Sequence, residues 1–422
     1  MTPARSHHRS QSSRFRPSIE RLWQRNLPAS KWPLWAALVP ASMLYSGALA
    51  LRARWWRRRA SGIDVATISV GNLTVGGNGK TPFTLFLASR LRERGIATAI
   101  ISRGWGRTSG AAAMVSDGTR ILMSPREAGD EPVMMAKSFA GPIAVARRRI
   151  DAAALLSSRD RFGAFVLDDG FQHLRLSRDL NLLLINTARG FGNGWVLPAG
   201  PLREPRNGIA RADAIVLIDS ISVPINSPET APVNAARSCA TELTADRAPA
   251  AVEFGDVAAG SLDVSDLALP NNIPVVRASI RPRALVQTDA VGWHERPLAL
   301  AGRRIVAVSG LAYPASFHAM LRQLGATIVA TLDFPDHHDY TPHDVENILF
   351  AAPETADVVT TEKDLVKLER FPQLNLSLYA LRLEVSMEAD DEARLFDLIA
   401  ARIGGKARAS GVGRSRRAGS DM

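Results

Sequence analysis

The sequence of 422 residues contains one cysteine, Cys239, and few long apolar runs. A single cysteine excludes a disulfide framework within the chain and a zinc site built from several thiolates, and it is typical of a reducing compartment. Only one uncharged apolar stretch, Leu34 to Leu51, approaches the length needed to cross a bilayer. No internal repeat is visible, and a composition of 46% hydrophobic and 22% charged residues is that of a globular protein.

Acidic residues are nearly missing from the first sixty positions, where Glu20 stands against twelve Lys and Arg. That local excess equals the net charge of the whole chain, +11. Positions 405–422 add five Lys and Arg against Asp421, so the central chain is slightly acidic. A nucleic-acid enzyme more often carries its basic surface on its folded domains. We therefore expect the basic ends to contact anionic lipid headgroups, with no nucleic-acid partner. No obligatory protein partner is evident from the sequence.

The apolar stretch Leu34 to Leu51 has 18 residues, which is about 27 Å of helix. Tryptophans and arginines flank it, as is typical of a segment at a membrane interface. We expect it to span the bilayer or to lie at its surface. A cleaved secretory signal ending near Ala48 to Ala50 is disfavoured, because arginines follow at once. The chain also contains an ATP-type loop, described below, which needs the nucleotide of the cytosol. A buried core helix is the remaining alternative.

Strand and helix patterns alternate along the rest of the chain, which predicts an α/β fold. A strand, a glycine-rich turn and a helix between Ser69 and Phe83 favour a P-loop NTPase-like, mostly parallel sheet with helices on both faces. We also expect a smaller C-terminal α/β domain and an N-terminal membrane-associated helix. The predicted strands of the first domain are Val65 to Val70, Ala97 to Ile101, Pro142 to Ala146, Ala164 to Leu167, Leu180 to Ile185 and Ala214 to Ile218. Those of the second are Ile305 to Val308, Thr327 to Leu332, Asp357 to Thr360 and Leu376 to Val385, closed by a helix from Asp391 to Ile403.

Composition and pattern divide the chain into six predicted segments. These are a disordered basic tail (1–18), the membrane-associated helical segment (19–60), the P-loop domain (61–220), a linker with an insertion in which order resumes near Ile273 (221–300), the small C-terminal domain (301–404) and a second disordered basic tail (405–422).

An apolar strand runs into a glycine-rich turn and then a helix between Ser69 and Phe83. In a phosphate-binding loop, backbone N–H groups point at phosphate oxygens, a lysine reaches the β- and γ-phosphates, and a hydroxyl binds Mg²⁺. Thr74 stands where the usual pattern has its first glycine. A surface turn that precedes Lys-Thr by chance is the alternative, and the strand and helix on either side argue against it. The predicted nucleotide-binding residues are Gly76, Gly77, Asn78, Gly79, Lys80 and Thr81.

Carboxylates follow the predicted strands at the edge where ligands of such sheets bind. Asp168 and Asp169 come directly after an apolar strand, and paired acids beside a phosphate loop suit Mg²⁺, although Asp-Asp-Gly is also common in turns. Asp130 opens a predicted helix, where capping is the alternative role.

Loop arginines and a histidine pair are the other polar candidates. Arg103, Arg107 and Arg203 are framed by glycine or proline, which suits bidentate contact with phosphate. The stretch Asp336 to Tyr340 contains adjacent histidines, of which only one is expected to face a given ligand.

Several long motifs, taken in order, resemble those of the tetraacyldisaccharide 4′-kinase family. They are SVGNLTVGGNGKTP, SRGWGR, GDEP, DDGFQH, GNGWVLPAGPLREP, FPDHHDYT and TTEKD, and the likeness covers about Arg21 to Ile403. The loop of that family also lacks the first glycine, so Thr74 fits the resemblance. Trp105 stands where the family more often has tyrosine, which keeps a stacking role and removes a hydroxyl contact.

The resemblance implies ATP-dependent phosphorylation of the 4′-hydroxyl of a tetraacylated glucosamine disaccharide 1-phosphate in lipid A biosynthesis, with ATP and Mg²⁺. Carried over by motif, Asp130 would be the base on that hydroxyl and His337 would support it from the second domain. Thr81, Asp168 and Asp169 would form the metal site. Contacts with the lipid A disaccharide precursor would come from Arg103, Trp105, Arg107, Gln172, His173, Arg203 and Glu204.

An acylated acceptor stays in the bilayer, so the resemblance also implies a site at the cytoplasmic face of the bacterial inner membrane. The rival hypothesis is a nucleotide-switched, membrane-associated P-loop NTPase without lipid kinase activity. That rival explains the phosphate loop and the apolar segment, but it leaves DDGFQH, LPAGPLREP and the histidine stretch without a role.

Overall fold

The fold is seen in a computed structural model that describes residues 21–23, 29–57, 59–219, 264–289, 292–374 and 377–409. The predicted tail 1–18, positions 221–263 of the predicted linker and positions 410–422 lie outside the described residues. The strands are β1 (Ala66–Gly71), β2 (Thr98–Ser102), β3 (Ala113–Asp117), β4 (Pro142–Val145), β5 (Ala164–Leu167), β6 (Leu180–Asn186), β7 (Ala214–Asp219), β8 (Val275–Thr288), β9 (Trp293–Arg296), β10 (Arg304–Ser309), β11 (Thr327–Asp333), β12 (Asp357–Thr361) and β13 (Leu378–Ser386). The α-helices are α1 (Trp32–Arg57), α2 (Lys80–Glu93), α3 (Pro125–Ala128), α4 (Asp130–Ser138), α5 (Arg149–Ser157), α6 (Pro314–Gln323), α7 (Pro342–Ala351), α8 (Glu362–Leu368) and α9 (Ala389–Ala409).

All of these strands belong to one sheet, in the order β11-β10-β12-β13-β8-β7-β6-β1-β5-β2-β4-β3, with β9 paired to β8. The pairings are parallel except between β3 and β4, β8 and β9, and β8 and β13. The prediction of a mostly parallel α/β sheet is therefore confirmed. The phosphate-loop strand β1 lies between β5 and β6, so the loops that follow these two strands flank it.

Helices cover both faces of the sheet because the apolar side chains of its strands point both ways. In β5, Ala164 and Val166 pack in the cluster that contains apolar residues of α2, α4 and α9. Phe165 and Leu167 pack on the other face with residues of α5. A strand buried on both faces reads as a continuous apolar run, which is how the first-domain strands were predicted.

Strand β8 connects the two predicted domains. It pairs with β7 in parallel from Val275 to Ser279 and with β13 in antiparallel fashion from Ser279 to Val286. Both β8 and β9 lie inside the predicted linker. The strand pattern of β8 is weak in the sequence because Pro282 interrupts it. Pro282 lies beside a register shift in the ladder between β8 and β13. The division at 220 and 301 stays a prediction, since strands on either side of it share one sheet.

Helix α9 runs past its predicted end at Ile403 to Ala409, so the first residues of the predicted tail 405–422 are helical. The extension is tied down by Lys406, whose Nζ lies 2.8 Å from Asp179 Oδ1 and 3.3 Å from the carbonyl oxygen of Ile63. Such pairing with the first half of the chain cannot be read from the local sequence.

The apolar helix α1 is docked at one edge and exposed elsewhere. Its span from Trp32 to Trp56 is long and apolar enough to cross a membrane, with a mean hydropathy of 1.6, and 6% of its most apolar part is buried. Ser42 donates to the carbonyl of Val196 at 2.6 Å, and Trp35 donates to that of Ala199 at 3.0 Å. The helix therefore lies against the 191–205 loop while most of its apolar surface remains uncovered.

We expect Gly71→Ala to destabilise the fold by about 1–3 kcal/mol, the usual cost of overpacking a filled core. A Cβ at this end of β1 would lie 2.6 Å from Phe171 Cβ and 2.9 Å from the Phe171 backbone nitrogen. Chemical denaturation measures the change. Gly62→Ala is the matched control, because nothing lies within 4 Å of its Cβ position. Equal stability of the two variants would contradict this packing.

Candidate active site

The phosphate-binding loop between β1 and α2 is shaped by glycines and by a buried amide–hydroxyl network. Gly76 (φ 98°) and Gly79 (φ 72°) have backbone conformations that favour glycine. The hydroxyl of Thr74 accepts from Asn78 Nδ2 at 2.9 Å, and its carbonyl accepts from Asn72 Nδ2 at 2.8 Å. Thr74 therefore holds the loop by hydrogen bonds at the position where other such loops have a glycine.

Lys80 and Thr81 begin helix α2, so both lie at the positive end of its dipole. Lys80 Nζ is 3.0 Å from Asn72 Oδ1 and 3.5 Å from Asp169 Oδ1. Above the loop, nothing lies within 4 Å of the Cβ position of Gly77, whose residue is exposed. The loop is open to a phosphate ligand on that side.

The two acids that follow β5 have different surroundings. Asp168 is buried and accepts from Ser102 Oγ at 3.1 Å, and its burial together with the neighbouring carboxylate raises its pKa. Asp169 (φ 47°) accepts from Arg203 Nη1 at 2.9 Å with both oxygens. Burial raises the pKa of Asp169, but Lys80 and Arg203 outweigh it and bring the pKa down to about 2.

No cluster of three or more His, Cys, Asp or Glu side chains suited to a metal ion occurs among the described residues. This fits Mg²⁺ in a phosphotransfer site, because that ion is usually bound by one or two carboxylates, water and substrate phosphates. Asp168 and Asp169 supply that number of carboxylates, and Asp169 Oδ1 lies 3.5 Å from Lys80 Nζ of the phosphate loop.

Asp130 and His337 come together from the two halves of the chain. Asp130 is buried at the first position of α4, and both of its carboxylate oxygens lie 3.0 Å from His337 Nδ1. Lys367 Nζ, on α8, is 3.4 Å from Asp130 Oδ2 and 3.1 Å from Asp364 Oδ1. Asp130 Oδ1 also accepts from the N–H of Glu131 at 3.0 Å, so helix capping describes only part of its role.

The adjacent histidines point apart, as predicted. His337 has φ 61°, a left-handed conformation that turns its ring toward Asp130, and its Nε2 is 3.9 Å from Asp336 Oδ1. His338 instead pairs with Asp344 at 3.0 Å and stacks on Phe334 with a centroid distance of 4.8 Å. Only His337 therefore faces the acid of the first half.

The Asp130–His337 contact shifts both pKa values toward the charged pair. Burial raises the pKa of Asp130, but the hydrogen bond and charge of His337, with Lys367 and Lys363, hold that pKa below its usual 3.8. Burial lowers the pKa of His337, but its hydrogen bond to Asp130 raises it above 6.5. The contact thus favours an ionised carboxylate beside a protonated imidazole.

Glu131, Lys367 and Arg211 are site residues that the sequence reasoning missed. Burial and the charges of Asp168 and Asp130 raise the pKa of Glu131 to about 7, so its carboxyl lies in the same acidic neighbourhood. Glu131 stands in the GDEP motif, which was the available signal. Arg211 had no such signal, and its pairing with Glu204 at 2.7 Å depends on the folded loop.

Glu204 and Gln172 form one hydrogen-bonded unit beside the phosphate loop. Gln172 Nε2 donates to Glu204 Oε1 at 2.9 Å and to the carbonyl of Asn72 at 2.7 Å. Arg203, next to Glu204, is bonded to Asp169. The structure thus brings these three predicted residues next to the loop.

The SRGWGR loop lies against the start of α4. A Cβ on Gly129 would be 2.6 Å from the carbonyl oxygen of Trp105, which places the loop next to Asp130. Trp105 is 58% exposed, and the guanidinium carbon of Arg103 is 5.6 Å from its ring centroid. Arg107 has buried Nε and Nη1 atoms without a hydrogen-bond partner among the described residues, and burial lowers its pKa.

His173 lines a cavity of about 120 Å³ near the end of α1. The lining residues are Trp56, Ser61, Arg148, Ile150, His173, Arg175 and Leu176. Burial, Arg149 and other neighbouring arginines lower the pKa of His173 to about 3. The cavity therefore has an excess of positive charge.

Comparison with known proteins relates this chain to a kinase family. A family model described as tetraacyldisaccharide-1-P 4′-kinase matches residues 34–403. The tetraacyldisaccharide 4′-kinase of Syntrophus aciditrophicus is 36% identical over 383 residues, covering 88% of this chain and 95% of that protein. The enzyme of that name from Geobacter sulfurreducens is 39% identical over 360 residues, covering 83% and 89%. A crystal structure described as an "apo" form of LpxK from Aquifex aeolicus in complex with ATP has a TM-score of 0.65 and 31% identity, covering 88% of this chain and 99% of that one.

We expect the stability difference between the wild type and His337→Gln to be largest between pH 3.8 and 6.5. The lowered pKa of Asp130 contributes stability above 3.8 that is lost as the pH falls through its folded-state value. The raised pKa of His337 contributes stability below 6.5 that is lost as the pH rises through its folded-state value. Thermal unfolding across pH measures the difference.

His343→Gln is the control for this pH series, because its side chain is 79% exposed beside Glu346. Its stability difference from the wild type should stay small at each pH. A difference for His337→Gln that does not vary with pH would show that the charged pair does not form.

Proposed function

This chain belongs to the tetraacyldisaccharide-1-P 4′-kinase family, and from that premise we propose that it transfers the γ-phosphoryl group of ATP to the 4′-hydroxyl of a tetraacylated glucosamine disaccharide 1-phosphate, a lipid A precursor. The observation that carries the proposal is the Asp130–His337 contact beside an open phosphate-binding loop. A phosphate loop alone suits any NTPase. A carboxylate kept ionised next to it also suits the removal of a hydroxyl proton.

Asp130 is the general base in this proposal. As the bond between the 4′-oxygen and the γ-phosphorus forms, the bond from that phosphorus to the β–γ bridging oxygen breaks, and ADP leaves with the electron pair. The hydroxyl proton moves to Asp130, and the hydrogen bond from His337 orients the carboxylate. Lys367 balances the buried negative charge. Phosphoryl transfer depends mainly on such positioning and charge neutralisation.

The donor phosphates occupy the loop of Gly76, Gly77, Asn78, Gly79, Lys80 and Thr81 in this proposal. Mg²⁺, bound through Thr81 and the carboxylates of Asp168 and Asp169, would neutralise charge on the phosphate oxygens. The low pKa of Asp169 keeps its carboxylate ionised. A hydrogen bond of 2.9 Å from Arg203 holds the Asp169 carboxylate, which lies 3.5 Å from Lys80 Nζ. This position supports the assignment of Asp169 to the metal side of the loop.

The acceptor sugar lies between the SRGWGR loop and the Gln172–Glu204 unit in our proposal. Trp105 offers an exposed ring for stacking on a sugar face, with Arg103 and Arg107 near it. The cavity at His173 suits the 1-phosphate of the acceptor, since two arginines, Arg148 and Arg175, line it. Arg203 and Glu204 position the loop that borders both substrates.

Membrane contact explains the exposed surface of α1. The enzyme acts at the cytoplasmic face of the inner membrane in this proposal, with α1 in the bilayer and arginines on anionic lipid. With segments 61–220 and 301–404 as two domains, Asp130 and His337 lie on different domains. The C-terminal half thus supplies the partner of the Asp130 carboxylate.

The direct test is transfer of label from γ-labelled ATP to an acylated disaccharide 1-phosphate in mixed micelles. We expect label in the lipid with the wild type, and turnover lower by about 10²-fold or more with Asp130→Asn, the size typical of losing a general base. Calorimetry should show ATP binding little changed. ATP turnover without label in the lipid would support the nucleotide-switch hypothesis instead, and an intact rate in Asp130→Asn would remove Asp130 from the chemistry.

Membrane binding is tested with three exposed apolar residues of α1. Met43, Leu44 and Leu51 are 62%, 78% and 70% exposed, and they lie away from the docked Ser42 and Trp35. Their joint replacement by serine should reduce sedimentation with anionic vesicles by about tenfold or more, since burying each side chain contributes roughly 1.5–3 kcal/mol.

Replacing Leu349 and Phe350 by serine is the matched control for the vesicle experiment. These residues are 38% and 95% exposed on α7, in the C-terminal half. Sedimentation should then equal that of the wild type. A loss of vesicle binding with the α7 variant and not with the α1 variant would show that the membrane-binding surface lies in the C-terminal half.

A further inference from the structure

Arg189 lies in a tight turn directly after β6, beside the phosphate-binding loop. The side-chain oxygen of Asn186 accepts from the N–H groups of Ala188 at 3.0 Å and Arg189 at 3.2 Å. The carbonyl of Asn186 accepts from the N–H of Gly190 at 2.8 Å. The backbone that carries Arg189 is therefore fixed on the rigid end of a central strand.

The guanidinium of Arg189 reaches the middle of the loop. Its Nη1 is 3.4 Å from the position that a Cβ on Gly76 would occupy, and Tyr313 Cε2 is 2.5 Å from the same position. The Arg189 guanidinium carbon lies 3.9 Å from the centroid of the Tyr313 ring. Three segments thus meet at one point: the phosphate loop, the turn after β6, and the residue that precedes α6 in the C-terminal half.

Carboxylates compensate the charges of two other arginines of the site, whereas none is paired with Arg189 among the described residues. Arg203 is paired with Asp169, and Arg211 is paired with Glu204. In the part of the chain that the structure describes, no carboxylate forms an ion pair with Arg189. A positioned and unneutralised guanidinium next to a phosphate loop is suited to an anion that binds there.

The position of Arg189 favours the terminal phosphate over the rest of the nucleotide. The middle of a phosphate-binding loop wraps the phosphate chain, and its lysine reaches the β- and γ-phosphates. Arg189 and Asp169 approach this loop from β6 and β5, the two strands that flank β1. The phosphoryl group in transfer would lie between them, where charge accumulates on its equatorial oxygens.

We propose that Arg189 is an arginine finger supplied by the chain itself, which donates to the γ-phosphoryl oxygens as phosphate moves from ATP to the acceptor hydroxyl. This inference rests on the proposed function. The new bond joins the acceptor oxygen to the γ-phosphorus, the bond to the β–γ bridging oxygen breaks with its electrons leaving on ADP, and the proton goes to Asp130. Tyr313 is a positioning residue, because its ring supports the guanidinium from the C-terminal half.

The test compares ground-state and transition-state binding in Arg189→Ala, Arg189→Gln and Arg189→Lys. We expect the single-turnover rate of Arg189→Ala to fall by about 10³-fold or more, the size typical of an arginine finger. Calorimetry should show ATP affinity little changed and the affinity for ADP with aluminium fluoride, a mimic of the phosphoryl group in transfer, reduced by a similar factor. Added guanidine should restore part of the rate, and Arg189→Lys should be poorly active because it lacks the planar fork.

Tyr313 variants test the positioning role. Tyr313→Phe keeps the ring and should keep the rate, whereas Tyr313→Ala should lower kcat and weaken ADP–aluminium fluoride binding while ATP binding is retained. Arg303→Ala is the matched control, because Arg303 also lies over a tyrosine, Tyr379, but in the C-terminal half directly before β10. Its rate should equal that of the wild type.

Two outcomes would overturn the inference. One is a wild-type rate in Arg189→Ala and Arg189→Gln. The other is an equal loss of affinity for ATP and for ADP–aluminium fluoride, which would make Arg189 a ground-state contact. Thermal unfolding checks that each variant is folded, and the glutamine and lysine variants carry the test if the alanine variant is not. Failure of the wild type to label the lipid would contradict the proposed function itself. That result is distinguishable from the two outcomes above, which concern only the Arg189 variants.

Discussion

The contact between Asp130 and His337 is the interaction on which the rest of the site depends. The two residues come from opposite halves of a single sheet, and their side chains meet at 3.0 Å. Burial alone would favour a neutral Asp130. His337 and Lys367 lower its pKa, so the C-terminal half provides the charge that favours an ionised carboxylate in the first half.

The segments that follow the two strands next to β1 carry side chains of opposite charge beside the phosphate loop. The loop after β5 carries Asp168 and Asp169, whose different environments push their pKa values apart. The turn after β6 carries Arg189, whose guanidinium lies 3.9 Å from the Tyr313 ring centroid and forms no ion pair within the described part of the chain. A negative group on one side and a positive group on the other suit a site that holds both a divalent cation and a transferring phosphoryl group. The same edge of the sheet bears the loop against which α1 docks, so the apolar helix and the candidate site lie on neighbouring segments.

Much of the fold and the outline of the site could be predicted from the sequence because those features are local. The strand–loop–helix of the phosphate loop, the acids after β5 and the acid at the start of α4 each depend on a few adjacent residues. The confirmed kinase family added the pairing of Asp130 with His337, which no local pattern contains. The continuous sheet through β8 and the ion pair between Lys367 and Asp130 depend on long-range packing, so local pattern could not give them. Thr74 shows a third case, in which an apparent departure is explained by hydrogen bonds from Asn72 and Asn78.

A double-mutant cycle on kcat tests most directly whether Asp130 and His337 act as one unit. If His337 acts through the carboxylate, His337→Gln should slow the wild type but add little to the loss already caused by Asp130→Asn. Steady-state rates of lipid labelling for the four proteins give the coupling. Losses that multiply independently would contradict the account, because the histidine would then act on something other than the base.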